Sequence, residues 1–271
     1  MKNTIPEVSV ITPLFNAFDF LPRLIESVKS QTGASFEHIV VNDCSTDQSL
    51  VLLEGLVQGD PRFVVINLEK NLGTTGARNE AIKYARGRYL AFLDADDLWA
   101  PNKLECQTKF MHENEAALSF TDYRFMSEDG TKIGRLLRGP RRIGWVGHHM
   151  TRYLGCLSVM IDRERCPNFE FPDVPRDDPV EDFLAWSLII KQTGPAYRCP
   201  FDLARYAVVN NSRSRNPILM AKCVWRLYRE RENIALIPAT FYFSAYIFFT
   251  LFKRHYYRPI YTNNGLLGKY K

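Results

Sequence analysis

Tyr89-Leu90-Ala91-Phe92-Leu93-Asp94-Ala95-Asp96-Asp97 is the stretch on which the fold turns. An unbroken apolar run passes directly into three carboxylates within four positions. Continuous rather than alternating apolar residues mark a strand buried on both faces. The acidic side chains then sit at the strand's carboxyl end, where open α/β sheets bind their ligands. Working outward, the same pattern recurs upstream. Val8-Ser9-Val10-Ile11 leads to Asn16, His38-Ile39-Val40-Val41 to Asn42 and Asp43, and Phe63-Val64-Val65-Ile66 to Asn71. Between these runs lie helical stripes: Phe20, Leu21, Leu24, Ile25 and Val28; then Leu50, Leu53 and Val57 behind the capping residues Ser45 and Asp47; then Ala77, Ala81, Ile82 and Ala85. Strands alternating with helices predict an α/β fold, with a mixed, mainly parallel central sheet, right-handed crossovers and flanking helices.

The chain has 271 residues, 46% of them apolar and 24% charged, enough for one large α/β domain or a domain with a small appendage. A net charge of +5 is too small to indicate nucleic acid, and none is expected as a partner. It suits an anionic donor or an anionic membrane surface. Among the six cysteines no CxxC pair occurs, which argues against a zinc or redox motif and for a reduced, cytoplasmic setting. Residues Met1 to Pro6 run straight into the first strand, so no apolar signal segment is expected.

Farther along, Leu118 to Phe120 and Leu157 to Ile161 read as strands, and Gly130 and Gly134 flank a hairpin or loop. The basic run Arg135 to Arg142 reads as a flexible segment, and Val180 to Gln192 as a helix closed by Gly194. Ile234 to Phe252 is almost wholly apolar and aromatic, broken by Pro238 and followed by Lys253, Arg254 and His255. It is about as long as the ~17–25 residues a membrane span needs. The proline and the basic, aromatic flank favour a helix lying in the membrane interface over one packed in the core, with a span third. The expected organisation is a domain over 1–215 and a helical extension over 216–271.

The carboxylates Asp94, Asp96 and Asp97 repel one another unless a positive charge lies among them. A hard dication, Mn²⁺ or Mg²⁺, bound also to diphosphate oxygens would supply it. An acidic first helical turn is the other reading. His148-His149 is adjacent in sequence and so diverges in direction. That pair reads as acceptor-side or surface residues rather than a metal site.

The ordered set Val8–Asn16, Val40–Asp47, Asn71-Leu72-Gly73 with Gly76-Ala77-Arg78-Asn79, and Tyr89–Trp99 closely resembles family 2 glycosyltransferases of the GT-A fold. The likeness resumes at Val180-Glu181-Asp182 and at Asn210-Asn211-Ser212-Arg213-Ser214. It implies inverting transfer of a hexose or N-acetylhexosamine from a UDP-sugar donor to a hydroxyl of a lipid-linked glycan acceptor. Short bacterial relatives of this kind serve surface polysaccharide and O-antigen synthesis, at the inner face of the cytoplasmic membrane.

Residue by residue, the resemblance puts Pro13, Phe15 and Asn16 beside the nucleobase. It makes Asp43 the acceptor for a uracil N–H; capping of the following helix is the alternative. Asn71 and Gly73 approach the donor, and Arg78 either grips phosphate or braces Asp94. Asp94, Ala95 and Asp96 form the DxD motif, with Asp96 and Asp94 as metal ligands and Asp97 as a helix cap. Asp182 is the expected base and Glu181 its orienting neighbour; an acidic first turn is again the alternative.

The chain departs from the family where Tyr206 is followed by Ala207 instead of arginine, leaving Arg205, Arg213 or Arg215 to meet the diphosphate. No histidine follows Tyr206, so a histidine metal ligand has no counterpart. Thr12 to Asn16 holds no glycine-rich phosphate loop, and neither GxxxxGK[ST] nor GxSxG occurs. The remaining rival is a non-catalytic nucleotide-sugar-binding or scaffold protein of the same fold.

Overall fold

The apolar runs fold as strands because each can bury both faces once helices cover the sheet. The computed structural model describes residues 5–175, 178–209 and 216–256. The strands are β1 (Val8–Leu14), β2 (Phe36–Asn42), β3 (Phe63–Asn67), β4 (Tyr89–Phe92), β5 (Leu98–Trp99), β6 (Leu118–Ser127), β7 (Ile133–Leu137), β8 (Arg142–Ile143), β9 (Val159–Asp162) and β10 (Ala196–Val208). The helices are α1 (Leu21–Lys29), α2 (Ser49–Val57), α3 (Gly73–Tyr84), α4 (Lys103–Glu113), α5 (Trp145–Thr151), α6 (Glu181–Thr193), α7 (Pro217–Arg226) and α8 (Leu236–Tyr256).

One sheet runs in the order β3-β2-β1-β4-β9-β6-β10-β5, with β7 added to β6 and β8 to β10. β3, β2, β1 and β4 are parallel; β9 lies antiparallel between β4 and β6; β10 is parallel to β6. The register matches Leu14 to Asn42 and Asn42 to Asn67, so the carboxyl ends of these strands form one edge. On one face Val10 and Leu14 pack with Leu24, Val28, Leu53 and Leu104. On the other, Ile11 and Phe92 meet Ala77, Ala81, Trp186 and Ile189, so α3 and α6 share that side.

Several expectations are corrected. Arg135 to Arg142 is not a loose loop: β7 and the start of β8 occupy it, and Leu137 is buried. No helix opens at Asp97; β5 follows and pairs with β10, and the next helix begins at Lys103. His148 and His149 are buried on α5 rather than at the surface. His148 stacks on Phe183 at 4.2 Å, and His149 approaches Glu232 at 3.4 Å. All six cysteines are free thiols.

The apolar C-terminal run forms α8, and its two sides differ. Ile234, just before it, and Ala239 and Tyr246 on it join Phe183, Leu184, Cys223, Val224 and Tyr228 in a third core. Ile237, Phe241, Phe248 and Leu251 are exposed. Among the described residues no helix is long and apolar enough to cross a membrane.

Candidate active site

At the end of β1, Pro13 is half-buried and the ring of Phe15 is half-exposed. Asn16 turns the chain at φ 47°. Its side chain donates to Thr46 Oγ1 at 3.1 Å and accepts the Thr46 N–H at 2.8 Å, while its own N–H donates to Ser45 Oγ. The loops after β1 and β2 are thereby fastened together. Asp47 Oδ1 accepts the Ser49 N–H at the start of α2, as a helix cap does.

Asp43 is buried beyond β2 and caps α3 instead of α2. Its carboxylate accepts the N–H groups of Leu72 (2.5 Å) and Gly73 (2.8 Å), and Asn71 Nδ2 donates to its carbonyl. Gly73 has φ 75°, a conformation that suits glycine. The anion at this helix start is therefore the protein's own carboxylate. Each of its oxygens keeps a second lone pair for a further donor.

Arg78, in the second turn of α3, is 2% exposed. Its Nη2 meets Asp94 Oδ1 at 2.6 Å, its Nη1 meets Glu181 Oε1 at 3.4 Å, and its guanidinium lies 5.2 Å from the Phe171 ring centre. Of the two places open to Arg78 in the sequence, the structure puts it behind Asp94. It also reaches the first turn of α6, linking two segments distant in the chain. Asn79 secures the Phe171 strap by exchanging two hydrogen bonds with its backbone.

The Asp94-Ala95-Asp96-Asp97 segment closes as a turn, with the Asp97 N–H donating to Asp94 O at 3.1 Å. Asp97 is buried, and its Oδ1 accepts the Ala207 N–H at 2.8 Å, tying the turn to β10. Burial, with the charges of Asp96 and Asp94, pushes its carboxyl well up. Asp96 makes no ion pair with lysine or arginine among the described residues. Burial and the neighbouring Asp94 push its pKa up to about 6. Two adjacent carboxylates, only one backed by an arginine, fit a hard dication that completes its shell with phosphate oxygens. Among the described residues no group of three or more His, Cys, Asp and Glu is placed to hold a metal without such help.

Glu181 and Asp182 form the first turn of α6. Asp182 Oδ1 accepts the Phe183 N–H at 2.6 Å and lies 3.9 Å from Arg152 Nη2. Burial raises its proton affinity, and Arg152 and Arg78 pull the other way. Arg152 had no signal in the sequence, because its place depends on the left-handed end of α5. Tyr123, Phe125 and Tyr206 form an aromatic cluster between β6 and β10, with ring centres 5.6–6.4 Å apart. Arg205 Nη1 pairs with Asp202 at 2.5 Å and so is held along β10. Asn210 to Ser214, with Arg213, and Arg215 lie outside the described residues.

The sequence profile described as glycosyl transferase family 2 matches residues 9–163. TuaG of Bacillus subtilis (strain 168), a glycosyltransferase assigned to teichuronic acid biosynthesis, is 40% identical over 91% of this chain and 96% of its own. WfgD of Escherichia coli, named as a UDP-Glc:α-D-GlcNAc-diphosphoundecaprenol β-1,3-glucosyltransferase, is 34% identical over 80% of this chain and 83% of its own. Among solved structures, the mannosyltransferase PcManGT of Pyrobaculum calidifontis, in complex with GDP-Man and Mn²⁺, superposes with a TM-score of 0.67. The likeness covers 92% of this chain and 71% of that one at 19% identity, and establishes the GT-A fold.

Proposed function

The chain belongs to glycosyl transferase family 2, and from that premise we propose that it is an inverting enzyme of cell-surface polysaccharide synthesis. It moves a hexose or N-acetylhexosamine from a UDP-sugar to a hydroxyl of a lipid-linked glycan. The observation that carries this reading is the reach of Arg78, which joins the acidic turn after β4 to the first turn of α6. A donor-holding segment and a base-bearing segment thereby converge on one edge of the sheet.

In this reading Phe15 stacks on the uracil, Asp43 offers its remaining lone pairs to the base N–H, and Asn71 and Gly73 shape the wall beside it. Asp94, Ala95 and Asp96 face the ribose and diphosphate, with Asp96 and Asp94 holding Mn²⁺ or Mg²⁺. Such an ion supplies positive charge to the departing diphosphate. The acceptor oxygen attacks the anomeric carbon from the face opposite the diphosphate. The bond to the β-phosphate oxygen breaks and UDP leaves. Asp182 takes the acceptor proton, and its raised proton affinity suits that task. Glu181 fixes the start of α6 through Arg78. WfgD's named acceptor carries a diphosphoundecaprenol, which supports a lipid-linked acceptor here.

Helix α8 lies on the acceptor side in this reading, and its exposed Ile237, Phe241, Phe248 and Leu251 dock peripherally on the inner face of the cytoplasmic membrane. Flotation with anionic liposomes tests this with Phe241→Glu/Phe248→Glu, since both rings are exposed. The unsubstituted chain floats and the double variant stays at the bottom; equal flotation removes the membrane contact. Transfer itself is tested by UDP release from a panel of UDP-sugars with a GlcNAc-diphospholipid acceptor, in Mn²⁺ and then in chelator. Binding of UDP with no release from any donor favours the non-catalytic reading instead.

A further inference from the structure

Arg152 ends α5 in the left-handed region, at φ 49° and ψ 56°. Its guanidinium lies 5.5 Å from the Phe183 ring centre and 5.9 Å from that of Tyr246. Phe183 follows Asp182 on α6; Tyr246 is buried on α8, and its ring side chain favours the charged guanidinium. Two aromatic faces restrict a side chain that otherwise has many rotamers. Nη2 thus stands 3.9 Å from Asp182 Oδ1. The end of α5 is itself fastened, since the Tyr228 hydroxyl donates to His149 O. About a quarter of each partner's side chain meets solvent, 25% for Arg152 and 23% for Asp182, so an acceptor hydroxyl can reach the carboxylate.

We propose that Arg152 is a positioning residue that orients the Asp182 carboxylate for the acceptor hydroxyl, and that α8 holds Arg152 in place through Tyr246. The proposal rests on the reading of Asp182 as the base. It makes the C-terminal helix a part of acceptor activation as well as a docking element. The other groups that face Asp182 are Arg78 from α3, Asp94 after β4, Glu181 beside it on α6, Tyr123 from β6 and Cys156 from the turn before β9. All of these stay unchanged in the test.

The experiment uses the full chain labelled with [¹³Cγ]aspartate. The carboxyl resonance lost in Asp182→Asn identifies Asp182. Arg152→Asn removes the cation while keeping a residue that tolerates positive φ. Its expected effect is a rise of about one pH unit in the Asp182 titration midpoint. The acid limb of kcat/KM for UDP release moves with it, and donor KM stays within about twofold of the unsubstituted chain. Tyr246→Phe, which keeps the buried ring, moves the midpoint the same way by less, and Arg152→Lys returns part of the shift. An Asp182 midpoint in Arg152→Asn equal to that of the unsubstituted chain overturns the proposal. So does a raised donor KM with an unmoved midpoint, which makes Arg152 a donor contact. Full UDP release by Asp182→Asn, with the midpoint shifted as expected, instead removes the base assignment and leaves the link between Arg152 and Asp182 standing.

Discussion

Arg78 is a buried cation answered by two acids, and the arrangement is asymmetric: burial works against its charge, and Asp94 foremost, with Glu181, restores it. Removing only the cation leaves two carboxylates facing protein. Arg78→Met is expected to cost about 3 kcal/mol in urea unfolding, and Arg78→Lys to recover little, because a point charge cannot reach both acids. An unchanged midpoint in Arg78→Met contradicts this bridging role. Asp96→Ala takes away a carboxylate that makes no ion pair among the described residues, so the fold should keep its stability while Mn²⁺-dependent UDP binding weakens at least tenfold by calorimetry. The place of Asp94 and Asp96 at the end of a buried strand was legible in the sequence, because an unbroken apolar run leads straight into them. Arg152 was not, because Thr151-Arg152-Tyr153 carries no local pattern and its meaning comes from rings on α6 and α8. The same limit applied to Asp43: the family resemblance assigned it to the donor base but could not indicate that two backbone N–H groups from the start of α3 already bind it.

At the scale of elements, the first four strands and their helices matched the reading because apolar period and turn residues agree there. β10 went unread. Pro200 interrupts it, the register shifts between Cys199 and Ala204, and its burial alternates irregularly, so no period survives in the sequence. The helix expected after Asp97 failed for a related reason: an acidic turn before Trp99 resembles a helix start, but Asp97 is spent on the Ala207 N–H across the sheet. Where β4 begins, the sheet leaves room for no side chain at all. A Cβ on Gly87 would lie 2.6 Å from Ser9 N and 2.7 Å from Val8 C, both backbone atoms of β1. Gly87→Ala should therefore destabilise by about 1–3 kcal/mol in chemical unfolding. The same strand pair carries Asp94, so donor affinity should fall with it; a neutral Gly87→Ala contradicts the packing described.

Taken as a whole, the molecule buries two neutral imidazoles whose pKa values are depressed to about 3 by desolvation: His38, against Thr12 Oγ1, and His148, stacked on Phe183. Unfolded histidine takes a proton near 6.5 and the folded groups only near 3. Between those values the unfolded chain binds more protons, so stability is full above 6.5 and falls as pH is lowered toward 3, by up to ~1.4 kcal/mol per pH unit for each imidazole. Asp96 acts in the opposite direction between 3.8 and about 6, and Asp97, Asp122 and Asp182, whose carboxyls are also pushed up by burial, act in the same sense as Asp96, so the acids offset part of the loss. Between pH 7 and 5 the urea midpoint of His148→Gln should rise relative to that of the unsubstituted chain, because the variant lacks one group that favours the unfolded chain as it protonates; parallel lines for the two proteins rule out His148 as a contributor. Across the division proposed at residue 215, Phe183 and Leu184 of α6 share a core with Cys223, Val224 and Tyr228. That shared core sets a rule for recombination between relatives. A graft that exchanges the terminal helices alone would join mismatched surfaces against the opening of α6. A workable chimera must carry α5, the opening of α6 and residues 216–256 together, so sugar-acceptor preference should be inherited as one block.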